Sequence, residues 1–514
     1  MPTSRILRKL ASNSSGGVVL LFSLLMPVIV LFGSIAIDYS RSISLQRMAQ
    51  AAIDAAVLAA SDALLADDLR QEKFASVLAA NFSHSDAASQ RSSFEYTRAA
   101  GGSGMLAFDY TSGLLHVAGF DTIGIQVKSQ ARQDLFDLEI ALVLDVSGSM
   151  LSSMGSTTRL EALKSAATKL VTELDAARLP SQSIRFSIVP FTMNVNIGTA
   201  NASFVDDTTN ALFTGTSWAG CVLERPSPYT NQDVYRSGDA KNGGNWQAYI
   251  WPPEPNSDDN CINPSNGTNA GYRRVEKVGR NGTFDPWTQG PNYNCVRHTI
   301  TPLTSSVSDT LNAINALSSH PNMGTILAPG IAWGHRLLSP EQPFTEGASF
   351  GPGVRKIMIV ITDGEQTTEG EYQINSCSSS TNTSANYRFT PSNLKLDGSA
   401  LTRTGPRDMF SPYGYVFDSA PFGSNSNWKE VQQHLATVTL DACNEFKGRA
   451  NGSNSVSLYT IAASTGAGPG TKVYDLLQQC ASSERNFFYA ADDTKLKDAF
   501  YAIARESTQL RLTN

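Results

Sequence analysis

From Gly17 to Ile37 the chain reads GVVLLFSLLMPVIVLFGSIAI, without a single charged residue. About 20 consecutive apolar residues are what a helix needs to cross the hydrocarbon core of a bilayer, and the apolar core of a signal peptide is shorter. Ser34 and Ala36 form a small-x-small pair of the kind that precedes a cleavage site, yet they stand at the end of a full-length span followed by more helix-forming sequence. The span is therefore expected to be retained. Arg5, Arg8 and Lys9 precede it. The positive-inside rule then places residues 1–16 in the cytoplasm, 17–37 in the membrane and everything after Asp38 outside. The six cysteines agree: Cys221, Cys261, Cys295, Cys377, Cys443 and Cys480 all follow the span, widely spaced and with no CxxC pair. That is a pattern of disulfides in an oxidising compartment, not of zinc. The expectation is a single-pass membrane protein with its bulk outside the cytoplasm.

The remaining sequence divides by its hydrophobic period, and 514 residues exceed what one core accommodates. Asp38 to about Leu69 is alanine-rich and free of Gly and Pro, which predicts that the membrane helix runs on outward. Ala49, Ile53, Ala56, Val57, Ala60 and Leu64 share one face, suited either to cover a small domain of the chain's own or to dock a partner. Strand-like alternation follows at Met105–Tyr110, Leu114–Val117 and Ile123–Val127, so residues 38–132 read as a long helix plus a small β region in a pilin-like layout.

After Phe136 the pattern changes. Apolar runs at Ile140–Leu144, Ile184–Val189, Ile357–Ile361 and Val456–Ile461 alternate with amphipathic helices. One of these carries Leu160, Leu163, Ala167, Leu170, Val171 and Leu174; others read at Val307–Leu317, Ile326–Leu338, Trp428–Phe446, Val473–Cys480 and Thr494–Glu506. This is the signature of an α/β domain, a doubly wound parallel sheet, here over 136–514. Two stretches rich in Asn, Ser, Gly and Pro, 195–300 and about 366–426, read as long surface insertions. The first holds Trp218, Trp246, Trp251, Trp287 and three cysteines, and is expected to be a disulfide-pinned subdomain. Cys443 and Cys480 sit on helices flanking one strand and are expected to bridge, leaving the other four to pair in one of three ways.

A net charge of −6 with only 17% charged residues offers no basic patch for nucleic acid. The six histidines are scattered, with no HExxH pair, G-x-S-x-G elbow or Walker loop, so no catalytic residues and no enzyme activity are expected. His335 reads as a packing residue, and Glu365, two residues from Asp363 on a turn, does not form an acid-base pair with it. The chemistry lies elsewhere. Asp145-Val146-Ser147-Gly148-Ser149 follows the first apolar strand, and Asp363 follows another, in Thr362-Asp363-Gly364. Thr325 precedes the helix opening at Ile326, with Thr192 as its rival. Ligands of open parallel sheets bind beyond the carboxyl ends of the strands, and hard divalent cations prefer oxygen donors of these types. A D-x-S-x-S string by itself serves equally well as a helix N-cap. Three elements in order, each after its strand or before its helix, favour the metal.

Together Asp145, Ser147, Ser149, Thr325 and Asp363 resemble the metal-ion-dependent adhesion site of the von Willebrand factor A family. The resemblance implies Mg2+, or Mn2+ or Ca2+, bound directly by Ser147 and Ser149. Asp145 and Asp363 would supply charge, one or both through water, and Thr325 would bind directly or through water. An open position would accept an acidic side chain of a protein partner. The segment GGVVLLFSLLMPVIVLFGSIAIDYSRSISLQRMAQAAIDAAVLAAS is similar to TadE/TadG-like proteins of the tight-adherence (Flp) pilus assembly system, whose TadG members join such a segment to a von Willebrand A domain. The tail resembles that group too, at Tyr459-Thr460-Ile461, Leu476-Leu477 to Cys480-Ala481, Phe500, Ile503-Ala504 and Gln509-Leu510-Arg511-Leu512. No glutamate stands near the fifth position after Gly16 or Gly17, where pilin precursors carry one, so processing and incorporation as a pilin are not expected. The resemblance implies metal-dependent protein binding in pilus assembly. A cell-surface adhesin is the alternative; a chelatase-type subunit, which works in the cytoplasm, suits the topology poorly. A reporter active only in the periplasm, fused after Asn514, is expected to be active in cells whose inner membrane retains the chain; activity of a cytoplasmic reporter alone would reverse this topology.

Overall fold

The computed structural model describes residues 15–85, 87–113, 119, 121–133, 136–206, 208, 217–250, 292, 294–320, 324–364, 366–367, 387–389, 401–403, 410–415, 428–450, 456–508 and 510–512. It forms two units, residues 1–134 with 507–514, and residues 135–506.

The first unit is built on one helix, α1 (Ser15–Ala60). Among the described residues it is the helix long and apolar enough to cross a membrane, and its large apolar side chains from Leu21 to Ile37 are exposed. Below them the same helix becomes amphipathic: Ala49, Ile53, Ala56, Val57 and Ala60 are sealed in a core with Phe74, Phe94, Leu106 and Phe108. Of the two uses open to that stripe, the helix covers its own domain. The first charge after the apolar run, Asp38, is buried and accepts hydrogen bonds from the Tyr110 hydroxyl (3.2 Å) and the Gly113 N–H (3.3 Å).

The helix stops at Ala60, short of the expected Leu69. The reason is Arg70. Its guanidinium donates to the carbonyls of Ala60 and Asp62 (both 2.8 Å) and to the Asp67 carboxylate, satisfying acceptors that a helix end leaves free. The chain then turns into a second helix, α2 (Arg70–Asn81), which the periodicity did not reveal; its Phe74 stacks on Phe94 at 5.0 Å. Three antiparallel strands follow, β1 (Ala87–Thr97), β2 (Gly101–Thr111) and β3 (Thr122–Gln133). The strand expected at Leu114–Val117 lies outside the described residues. Glycines let α1 approach β2 closely: a Cβ on Gly104 would stand 2.4 Å from Val57 Cγ2, and one on Gly102 1.9 Å from Ser61 Oγ.

The second unit contains β4 (Asp137–Asp145), α3 (Arg159–Ala177), β5 (Ile184–Phe191), β6 (Thr301–Thr304), α4 (Val307–Ala316), α5 (Leu327–Leu337) and β7 (Val354–Thr362). It continues with α6 (Trp428–Lys447), β8 (Val456–Ala462), α7 (Lys472–Cys480), β9 (Phe487–Tyr489) and α8 (Asp493–Ser507). The six-stranded sheet runs β6-β5-β4-β7-β8-β9, parallel except for β6. Counted within the unit this is the order 3-2-1-4-5-6, the doubly wound arrangement expected of a von Willebrand A-type domain. Its central strands are buried from their second or third residue onward, as their continuous apolar runs require. The edge strands β6 and β9 are short and were not legible.

Two expectations need adjustment. The second unit ends at Glu506 instead of Asn514, because Leu510–Leu512 pairs antiparallel with Ala131–Gln133 and completes the open edge of the first sheet. The described part of the 195–300 insertion is also only partly a surface feature. Trp246 is buried against Trp333 of α5 (ring centroids 4.9 Å) and under the Arg225 guanidinium (4.5 Å), while Arg336 of α5 bonds the buried Glu224 carboxylate at 2.9 Å. Residues 251–291 and most of 366–426, with Cys261, Cys377, Trp251 and Trp287, lie outside the described residues. Cys221 is bridged to Cys295, and Cys443 to Cys480, the second bridge joining α6 to α7 (Cα–Cα 5.3 Å).

Replacing Gly104 with Val should overpack the α1–β2 contact and destabilise the first unit by about 1–3 kcal/mol, as read by hydrogen exchange of the β2 and β3 amides. Unchanged protection would show that the helix has room to move away.

Candidate metal centre

Strands β4 and β7 are adjacent and parallel, with Leu144 opposite Ile361, so both carboxyl ends open at the point where the strand order reverses. Asp145 is the last residue of β4, and Asp363 directly follows β7. Their exposures are 0% and 2%. Asp145 Oδ1 accepts the Ser147 N–H (2.8 Å) and Oδ2 accepts the Thr362 hydroxyl (2.7 Å). The hydroxyls of Ser147 and Ser149 are 3.1 Å apart. Ser149 donates to Asp363 Oδ1 (2.6 Å), and Arg159 Nη1 donates to Asp363 Oδ2 (2.5 Å). Four of the five expected residues thus form one hydrogen-bonded cluster.

The loop that carries the serines is held from both sides. The His320 N–H donates to the Val146 carbonyl (2.8 Å), the Ser319 hydroxyl to the Ser147 carbonyl (2.6 Å), and the Val146 N–H to the Phe191 carbonyl (2.9 Å). Gly148–Leu151 makes a single 3-10 turn that the Ser147 side chain does not cap, so the D-x-S-x-S run is not a helix N-cap. The following helix α3 is capped by Thr158, whose hydroxyl accepts from the Glu161 N–H.

Thr325 is buried on a neighbouring segment. Its backbone exchanges two hydrogen bonds with Thr367 (2.8 and 2.9 Å), and the next residue, Ile326, donates to the Thr192 carbonyl (2.9 Å). The two rival threonines therefore stand beside each other past the end of β5. Among the described residues no hydrogen bond ties the Thr325 side chain to the other four. The Thr192 hydroxyl is buried and finds no partner among the described residues.

The donor set suits a hard divalent cation. Two carboxylates and several hydroxyls converge, whereas among the described residues no group of three or more His, Cys, Asp or Glu offers a metal site. Burial, and then the charge on Asp363, push the Asp145 carboxyl up to about 7, which marks a place short of positive charge. Sequence reasoning missed Thr362, Ser319 and Arg159. Thr362 had a weak signal in its position next to Asp363, and the other two reach the site only through the fold.

Residues 16–67 match the family model described as putative Flp pilus-assembly TadE/G-like. No curated protein matches the sequence. Among solved structures the chain is similar to the pilus adhesin SpaC from Lactobacillus rhamnosus GG, at 12% identity and a TM-score of 0.35, covering 81% of this chain and 34% of that one. It is also similar to the vWF domain of the type V pili tip protein Mfa5 from Porphyromonas gingivalis (12%, TM-score 0.34, 73% and 97% covered). A third is the PilB minor pilin from Streptococcus sanguinis (12%, TM-score 0.32, 82% and 77% covered). The chain spans about a third of the length of SpaC. At scores this low the likenesses add no argument to the strand order. What stands is a TadE/G-like segment joined in one chain to a doubly wound parallel sheet.

The raised Asp145 carboxyl has a consequence for stability. Without a cation the folded chain keeps a proton up to about pH 7 that the unfolded chain, with its carboxyl near 3.8, has already released. This contribution is fully present below the unfolded value, falls as pH rises and is lost above about 7. Between pH 5.5 and 7 the chelator-treated protein should lose about 1.5 kcal/mol from this group, the slope falling from 1.36 kcal/mol per pH unit to half of that at the folded value. Asp145→Asn should lack that loss in denaturant titrations. Identical pH slopes for the two proteins would mean that Asp145 is ionised throughout.

Proposed function

We propose that the chain is a membrane-anchored periplasmic factor of Flp pilus assembly that grips a protein partner through a divalent cation, Mg2+ or Mn2+ before Ca2+, at Asp145, Ser147, Ser149, Thr325 and Asp363. One observation carries this reading: two buried carboxylates and two facing hydroxyls at the switch point of the sheet, in a chain that opens with a TadE/G-like segment. When bound, the cation would supply a Lewis-acidic face for a carboxylate of the partner. The chain's own residues prepare the place. Thr362 and the Ser147 N–H orient the Asp145 carboxylate, and Ser319 fixes the serine loop from outside. The partner expected is a pilus or secretion component with an exposed Asp or Glu. Arg5, Arg8 and Lys9 before the apolar run support a cytoplasmic N-terminus, with the bulk of the chain outside.

The test is a pair of variants, Asp145→Ala and Asp363→Ala. Both are expected to lose Mg2+ and Mn2+ binding and partner capture, and to abolish piliation at near-normal protein level, since the sheet is buried elsewhere. Retention of metal affinity and piliation in both would reduce the cluster to a structural cap. Loss of surface adhesion with intact pili, in a chain found outside the inner membrane, would establish the adhesin instead.

A further inference from the structure

The hydrogen bonds at Asp363 involve a residue outside the five. Arg159 is the first residue of α3, a helix start fixed by the Thr158 cap and by the Arg159 N–H donating to the Ser152 carbonyl at 3.0 Å. From there its guanidinium reaches Asp363 Oδ2 at 2.5 Å and the Ser149 carbonyl at 3.5 Å. The Arg159 side chain is 18% exposed and that of Asp363 0%. Asp145, by contrast, is held by a hydroxyl and a backbone N–H.

We propose that Arg159 is a resident counter-ion of this centre, which weakens its hold on a divalent cation and leaves the loaded centre cationic toward an anionic side chain. The inference rests on the metal reading above and asks what sets the strength and charge preference of the site. With both carboxylates ionised, as a bound cation would hold them, they and one guanidinium sum to one negative charge, so a divalent cation brings the total to one positive charge. Without Arg159 the loaded centre would be neutral. A guanidinium does not deprotonate in a protein, so it cannot relieve the repulsion by losing its charge. The bond to Asp363 Oδ2 also takes one of the lone-pair directions that a cation would use. The centre thereby gives up metal affinity and retains attraction for a carboxylate. A plain structural salt bridge, pinning the end of β7 to the start of α3, would show the same contact but not the same consequences.

The experiment uses the full chain purified in detergent, stripped with chelator and titrated calorimetrically with Mn2+, as wild type, Arg159→Gln and Arg159→Lys. Arg159→Gln is expected to bind Mn2+ at least about tenfold more tightly, because a like charge a few Å from the ion is removed. Arg159→Lys, which keeps the charge, should stay within about twofold of wild type on the same ground. The unfolding midpoint of Arg159→Gln should fall in chelator and recover with Mn2+. Acetate, followed by water-proton relaxation of the Mn2+-loaded protein, should bind several-fold more weakly to Arg159→Gln than to wild type. Equal or weaker Mn2+ affinity in Arg159→Gln, with wild type binding normally, would overturn the counter-ion role and leave the metal site standing. Absence of Mn2+ binding in all three proteins up to the millimolar range would remove the metal reading and this inference together.

Discussion

Asp145 and Asp363 are kept from water at the ends of neighbouring strands, close enough that the charge of one raises the proton affinity of the other. Uncompensated carboxylates in such a place cost several kcal/mol each. The surroundings offset part of that cost through the Thr362 and Ser149 hydroxyls, the Ser147 N–H and the Arg159 guanidinium. They do not offset all of it, since burial and then the charge on Asp363 still push the Asp145 carboxyl up to about 7. The fold tolerates the deficit because the sheet below is sealed by apolar side chains that owe nothing to the charges.

The other end of the same strands shows that full neutralisation was within reach. Glu139 of β4 is paired in register with Lys356 of β7 on one side and Arg185 of β5 on the other, and bonds both, Lys356 Nζ at 2.6 Å. Lys356 also donates to the carbonyls of Leu338 and Ala348 (2.5 and 2.6 Å), so a buried carboxylate there meets two cations. At the carboxyl ends two carboxylates meet one cation. The amino-end cluster has the composition of a structural device and the carboxyl-end cluster that of a binding site. This contrast within three strands is the strongest physical reason to treat the second as a site.

The sequence made legible what depends on local pattern. The central strands and most helices of the second unit were readable because buried parallel strands are continuously apolar and most of their helices amphipathic, while α5 is buried along its whole length. The motif residues were readable because strand ends place them. What escaped depends on distant partners. Arg70 ends a helix by bonding carbonyls ten and eight residues back. Arg159 and Ser319 reach the centre only once α3 and the loop before α5 are in place. Arg225 and Trp246, in a stretch that composition had marked as surface, stack with Arg336 of α5 into one buried cluster, since polar and aromatic residues lose their exposure only when they find one another.

The chain order of the two units follows from an edge. The first sheet ends at β3, whose last residues would present unpaired backbone groups, and Leu510–Leu512 fills that edge after the whole second unit has intervened. The second unit is thus an insertion between two hydrogen-bonded strands, which demands that its own two ends lie close together. Arg355, near the start of β7, meets that demand: its guanidinium lies over the Phe136 ring at 5.5 Å, where the unit begins, and donates to the Glu506 carbonyl at 3.3 Å, where it ends. With its ends already held, the insertion adds little closure entropy to the strand pair that carries it. A domain with separated ends would have opened that pair.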